Sequence, residues 1–245
     1  MKLSVIIPVY NSAAFISETF RELVDYLEKQ GEEYELLFVD DGSRDKTGSI
    51  LEELAGQNPR ASLIRNGTNR GKGYTVRAGM KQAQGDFLVF TDADLAYPPT
   101  EIGKIVNTLR EGADLAIATR VAPASRFIMS PEFFGYLYTR HLGSRLFNRL
   151  VRKVLGLSIN DTQAGLKGFS RKAKEIIFSR QTLEGFTFDV ELIYIANKFG
   201  LAVREVPVVF RYFSEPTTVS FMMQSLASLK DLFSIRSKNH KGLYQ

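Results

Sequence analysis

Cysteine is missing from the 245 residues, which excludes disulfides, thiolate metal sites and a cysteine nucleophile. Histidine is scarce. His141 and His240 both lie in basic stretches, so a histidine-based zinc site is not expected. No stretch approaches the roughly 18 to 20 apolar residues of a membrane span. The apolar run in the opening MKLSVIIPVYN is shorter than a signal-peptide core and meets Pro8 and Asn11 at once, so it reads as a first strand. Repeats and low-complexity linkers are absent as well. What remains is a chain of 44% hydrophobic composition, enough for one α/β domain with an appendage, cytosolic or peripheral to a membrane. Its net charge of +5 and pI near 9.3 call for an acidic partner: nucleic acid, anionic lipid or a phosphate-bearing substrate.

Residues 3–9 are β-rich, and Phe15, Thr19, Leu23 and Leu27 then recur at helical spacing until Gly31, with Asn11 or Ser12 as the expected cap. Residues 34–39 form a second apolar strand ending on Asp40, Asp41, Gly42 and Ser43. A helix opens at Asp45 or Thr47 and runs to Asn58-Pro59. Leu63 and Ile64 make a short third strand, and residues 69–73 lead into a helix ending near Gly85. The continuous apolar run 87–90 suits a central strand covered on both faces, followed by a helix over 100–109 and a fifth strand over 115–119. Such alternation predicts a mostly parallel sheet flanked by helices, with ligands beyond the carboxyl ends of the strands. Segments 8–11, 40–43, 69–73, 92–94 and Thr119-Arg120 are thereby gathered on one edge.

The pattern then changes. Over 131–156, Phe134, Leu137, Tyr138, Leu142, Leu146, Leu150 and Val154 form an apolar helical stripe beside a basic one of His141, Arg145, Arg149 and Arg152. This fits an interfacial membrane helix, and equally a helix packed on the core with a solvated basic face. Helices are expected over 171–178 and 186–199, the latter with Asp189 and Glu191 as structural carboxylates near its start, and a strand over 203–210 that Pro207 marks as an edge. Residues 219–235 read as a second amphipathic helix, with Met222, Leu226, Leu229 and Phe233 on one face and a basic tail of Arg236, Lys238, His240 and Lys241. Basic residues that follow apolar helix faces, without interleaved stacking aromatics, argue against nucleic acid.

In DFLVFTDADLAYPP, Asp92 and Asp94 end the central strand. Two carboxylates beside a hydrophobic core need a compensating cation or protons, although an Asp-x-Asp pair is also what a solvated turn carries. Mg²⁺ or Mn²⁺, held by one or two carboxylates and substrate phosphates, would supply the charge, which points to a nucleotide diphosphate ligand.

VIIPVYN, VDDGSRD, NRGKGYTVRAG, TDADLAYPP, ATR, DTQAGLKGFSR, GFTFDVELIYIA and REVPVVF, in this order, resemble the inverting glycosyltransferases of family 2 with the GT-A fold. The likeness is greatest to polyprenyl-phosphate hexose synthases. DTQAGLKGF, FDVELIYIA and KDLFSIR are most similar to dolichyl-phosphate glucosyltransferases, with dolichyl-phosphate mannose synthases next. The resemblance implies a Rossmann-like GT-A domain over 1–218, with a donor half 1–120 and an acceptor half 121–218, then an amphipathic helix and basic tail over 219–245. Family members often carry carboxyl-terminal transmembrane helices. Without one in this sequence, the two amphipathic helices are left to dock at the cytoplasmic face of a membrane, peripherally or monotopically.

The implied activity moves a hexose, glucose before mannose, from UDP-glucose or alternatively GDP-mannose to a dolichyl or undecaprenyl phosphate. Asp40 and Asp41 can accept hydrogen bonds from a base or ribose, Pro8, Tyr10 and Asn11 shape the pocket floor, and Gly42 and Ala93 belong to the same donor loops. Gly71 and Gly73 allow close backbone approach to the nucleotide, and Lys72 offers a nearby charge. Asp92 and Asp94 are the metal pair, Asp94 the more direct ligand. A lipid phosphate needs no strong base, so arginines become its site: Arg120 and Arg140 match phosphate-holding positions, Arg126 and Ser144 are further candidates, and Arg211 can close over the site. Asp161 is either the base for a saccharide hydroxyl, in the alternative reaction, or the residue that holds neighbouring arginines. A nucleotide-sugar binding protein without turnover is a further alternative.

Overall fold

A computed structural model of the chain describes residues 1–129, 147–212 and 221–245, with side chains outside 221–227. The first half alternates as the periodicity predicts: β1 (Leu3–Val9), α1 (Ile16–Gln30), β2 (Tyr34–Asp40), α2 (Thr47–Gln57), β3 (Ala61–Arg65), α3 (Lys72–Gln82), β4 (Phe87–Thr91), α4 (Pro99–Arg110) and β5 (Leu115–Thr119). There follow β6 (Arg126–Met129), a helix α5 over 147–155, β7 (Leu166–Ser170), α6 (Arg171–Phe178), α7 (Phe188–Lys198), β8 (Val203–Pro207), β9 (Val209–Tyr212) and α8 (Phe221–His240).

Seven strands form one sheet in the order β3-β2-β1-β4-β7-β5-β8. β7 alone runs against its neighbours β4 and β5, so the sheet is mostly parallel and β1 to β5 all point their carboxyl ends to one edge. α1 contacts α2 and α4 on one side, while α3, α6 and α7 form the other layer. Because both faces are covered, β5 is buried throughout and β4 at every residue but Phe87, as continuous apolar runs require.

Three expectations change. The strand over 203–210 is two strands: β8 closes the edge of the large sheet beside β5, and β9 leaves it to pair with β6. Pro207, with no N–H to donate, stands at the break. β6 was not anticipated, because its sequence RFIM alternates between exposed and half-buried positions and becomes a strand through its partner. Neither Asn11 nor Ser12 caps α1 with its side chain. Asn11 Oδ1 accepts the Arg44 N–H and the Ser12 N–H donates to Thr47 Oγ1, so the two tie the end of β1 to the loop after β2 and to the start of α2. Gly31 does end α1, at φ +67°.

α8 also differs from its expected stripe. Ser228, Leu232 and Ile235 are buried, with Tyr244 behind them, whereas Phe233 is 60% exposed. This half of the helix therefore packs on the body, with Thr187 Oγ1 donating to Ser228 Oγ and Tyr194 packed edge-on to Tyr244. Among the described residues no helix is long and apolar enough to cross a membrane. Residues 130–146, with most of the first amphipathic stretch, and the expected division at 218/219 lie outside the described residues.

Candidate active site

Strand order turns back between β1 and β4, where an open α/β sheet leaves a crevice at its carboxyl edge. The loops expected there do converge. The Asn11 N–H donates to Ser43 Oγ, and Asp40 Oδ1 accepts the Ser43 N–H, which ties the ends of β1 and β2 together. Pro8 is half-buried and Tyr10 and Asn11 are exposed at the crevice rim. Asp41 is buried and accepts from Asn66 Nδ2, the Arg70 N–H and the Gly71 N–H at 2.8–2.9 Å, so it fixes the 66–71 loop. Gly42, at φ +72°, packs so closely on Thr68 that a Cβ would come within 2.6 Å of its carbonyl carbon.

The close approach expected of Gly71 and Gly73 is to the protein itself. A Cβ on Gly71 would lie 2.6 Å from Glu184 O, and one on Gly73 2.6 Å from Phe188 Cβ. Glu184 O also accepts the N–H groups of Gly73 and Tyr74, so these first amides of α3 are already partnered. The loop's two cations are each paired, Arg70 with Glu184 and Lys72 with Asp92.

Asp92 and Asp94 stand at the end of β4, with Ala93 buried between them and its carbonyl accepting from Thr19 Oγ1. Lys72 Nζ lies 2.5 Å from Asp92 Oδ1. On the other side Asp92 Oδ2 packs on Gly165, where a Cβ would be 1.9 Å away. Burial disfavours the Lys72 charge, but Asp92, Asp189 and Asp94 hold its pKa above the ordinary lysine value. The pKa of Asp94, an exposed residue, is raised by desolvation of its carboxyl and then by the Asp92 charge. Leu95 turns the chain at φ +47°, a left-handed conformation that costs a non-glycine residue about 1 kcal/mol or more and that keeps Asp94 Oδ1 on the Ala96 N–H.

No cluster of three or more metal-ligating side chains occurs among the described residues. Two mutually repelling carboxylates fit a hard divalent cation whose remaining ligands are phosphate and water, and Asp92 and Asp94 are the residues that would hold it.

Arg120 follows β5 and is held by Asp161. Its N–H and Nε donate to Asp161 Oδ2 at 3.0 and 2.8 Å and its Nη2 to Oδ1 at 2.8 Å. Asp161 is 1% exposed; burial would raise its pKa, but Arg120 holds it below the ordinary carboxylate range. The guanidinium also lies over the Phe210 ring, which meets Tyr97 and Phe127 edge-on. The Arg211 N–H donates to Ala96 O, which joins β9 to the turn carrying Asp94. Arg126 is exposed on β6. Beside Arg120, a cavity of about 470 Å³ is lined by Thr119, Val121, Pro123, Asn148, Arg149 and Arg152, among others. Arg140, Ser144, His141 and Arg145 lie outside the described residues.

A second ion pair lies beneath the first. Lys167 is fully buried in β7, and its ammonium donates to Asp189 Oδ1 at 2.6 Å and to Ala164 O at 2.5 Å. Charges thus alternate from Arg120 and Asp161 through Lys167 and Asp189 to Lys72, Asp92 and Asp94: three cations against four carboxylates, an excess of one negative charge. Burial depresses the Lys167 pKa and raises that of Asp189. Lys167 was not singled out from sequence, although a lysine inside the otherwise apolar LKGF, with an acidic residue in a following helix, is the signature of a buried pair. Asp189 and Glu191 are structural, as expected, and Glu191 binds the N–H groups of Thr182 and Leu183.

Residues 4–178 match the profile of Glycosyl transferase family 2. A human dolichyl-phosphate beta-glucosyltransferase is 31% identical over 252 residues, covering all of this chain and 78% of the relative. A dolichol-phosphate mannosyltransferase of Pyrococcus furiosus is 33% identical over 86% of this chain and 56% of its own length. An undecaprenyl-phosphate 4-deoxy-4-formamido-L-arabinose transferase of Proteus mirabilis is 32% identical over 84% of this chain and 59% of its own. Among solved structures, glucosyl-3-phosphoglycerate synthase from Mycobacterium tuberculosis, crystallised with Mn²⁺, UDP-glucose and phosphoglyceric acid, shares the fold at a TM-score of 0.69 and 20% identity, over 96% of this chain and 79% of that one. The carboxylate pair at the sheet's switch point thus sits in a GT-A framework, and the chain belongs to glycosyl transferase family 2.

Proposed function

We propose that the protein transfers a hexose, glucose before mannose, from a nucleotide diphosphate sugar to a polyprenyl phosphate, with inversion at the sugar carbon. UDP-glucose is the favoured donor and GDP-mannose the alternative, and dolichyl or undecaprenyl phosphate is the acceptor. One observation carries the choice of acceptor. Both oxygens of Asp161, the carboxylate that a sugar hydroxyl would need as its base, are bonded to Arg120. A phosphate oxygen is already an anion and requires no such base.

Arg120, fixed by Asp161, binds and orients the acceptor phosphate, with Arg149 and Arg152 in the adjoining cavity and Arg126, Arg140, Ser144 and Arg211 as further contacts. A phosphate oxygen bonds to the anomeric carbon as its bond to the nucleotide diphosphate breaks, and the electron pair leaves with the diphosphate. When bound at Asp92 and Asp94, Mg²⁺ or Mn²⁺ stabilises that leaving charge. The loops of Pro8, Tyr10, Asn11, Asp40, Asp41 and Gly42 hold the nucleoside side of the donor. The names of the human, archaeal and bacterial relatives, all polyprenyl-phosphate sugar transferases, support the acceptor class, and their different sugars leave glucose as a reading to be tested. The protein works at the cytoplasmic face of a membrane, peripherally or monotopically.

Incubation with radiolabelled UDP-glucose or GDP-mannose, Mn²⁺ and polyprenyl phosphate tests this. Label is expected in the lipid phase, more from UDP-glucose, and chelation of the metal should abolish it. Label in a saccharide with none in lipid overturns the proposal.

A further inference from the structure

Resting on the reading of Asp92 and Asp94 as the donor-metal pair, we infer that Lys72 is a resident counter-cation that bars free divalent ions from Asp92 and gives way when the nucleotide diphosphate arrives. Of the two Asp92 oxygens, Oδ2 packs against Gly165, where an added Cβ would lie 1.9 Å from it, in a side chain that is 31% exposed. On Oδ1 the Lys72 ammonium sits at 2.5 Å. The Lys72 side chain keeps 18% of its surface in contact with solvent, so it lines the crevice while its charge is spent on the carboxylate. Among the described residues Asp94 is in no ion pair; its Oδ1 accepts the Ala96 N–H.

The neighbourhood is built to let Lys72 move. Its backbone is the first residue of α3, clamped by Gly71 on Asp41 and by Gly73 on Glu184, so the stem has a fixed origin. The ammonium itself is a point charge on four flexible carbons with three donors, able to exchange one anion for another within its reach. Behind it, Asp189 is held by Lys167. A Lys72 that leaves Asp92 for a diphosphate therefore passes from one anion to another without stranding a buried charge. Gly73 and Tyr74 donate their amides to Glu184 O and Arg70 is paired with Glu184, so Lys72 is the cation of the 69–73 loop that stands at Asp92 and can be offered to a phosphate there. Cation and diphosphate would then bind together, each weak without the other, a coupling that must be reciprocal.

Mn²⁺ binding, counted from the loss of the free-ion EPR signal, tests the inference with and without UDP on the wild-type protein, Lys72→Met and the charge-keeping Lys72→Arg. Without UDP, Lys72→Met should bind Mn²⁺ at least tenfold more tightly than wild type, and Lys72→Arg should stay weak. UDP should tighten Mn²⁺ binding to wild type by tenfold or more and to Lys72→Met by much less. Lys72→Gln serves if the methionine variant fails to fold. Equal or weaker Mn²⁺ affinity in the uncharged variants, while wild type binds Mn²⁺ with UDP, overturns the role of Lys72 alone. Absence of Mn²⁺ binding to wild type even with UDP overturns the metal-pair reading and this inference with it.

Discussion

At the scale of single residues, the site depends on charges that hold one another. Asp161 is the buried end of the Arg120 pair, so Asp161→Asn leaves a guanidinium without its counter-charge and should destabilise the fold by about 3 kcal/mol at neutral pH. The pH dependence follows from its lowered pKa: the contribution is complete above the unfolded carboxylate value near ~4 and is lost as pH falls through the folded value. Urea denaturation of the two proteins should therefore show a gap at pH ~7 that narrows below pH ~4. Gly165→Ala probes the other carboxylate, because its Cβ would collide with Asp92 Oδ2. A displacement of ~1 Å at a positioned group costs on the order of 10²-fold in rate, and kcat/KM of this variant should fall by about that factor while far-ultraviolet circular dichroism is unchanged.

Elements far from the carboxylates hold the 69–73 loop. Tyr244 is buried beyond α8, and its hydroxyl donates to Glu191 Oε1 at 2.6 Å. Glu191 in turn binds the N–H groups of Thr182 and Leu183, and the next residue, Glu184, accepts from Gly73 and Tyr74 and pairs with Arg70 and Arg77. The chain's last turn is thus linked to the loop carrying Lys72. Tyr244→Phe leaves a buried carboxylate one hydrogen bond short, an expected loss of about 1.5 kcal/mol. It should raise KM for the nucleotide sugar more than it lowers kcat, which steady-state kinetics with varied donor will resolve.

For the whole molecule, the proposed lipid acceptor requires that a site with a basic flank reach a membrane. Arg149 and Arg152 line the cavity beside Arg120, while Phe233 and Leu243 are exposed on the packed carboxyl-terminal segment. Cosedimentation with phosphatidylcholine vesicles containing phosphatidylserine is expected to fall between about 0.01 M and about 1 M salt, as the screening length shortens from ~30 to ~3 Å. Binding that ignores salt and anionic lipid would instead assign docking to apolar contact.

The sequence by itself determined the alternating layers, the gathering of five loop ends on one sheet edge and the place of Asp92 and Asp94 at the end of β4, because apolar periodicity and parallel crossovers are local consequences of residue order. Its motif order also carried the family. Tertiary structure alone decided what those residues touch: that Gly71 and Gly73 are small for the 183–188 segment, that Asp161 belongs to Arg120, that Lys167 and Asp189 are one buried pair, and that α8 buries Leu232 and Ile235 instead of Phe233. The physical reason is the same in each case. These contacts join residues from 22 to more than a hundred positions apart, and the partner of a charge or the neighbour of a glycine is set by which elements the sheet brings together.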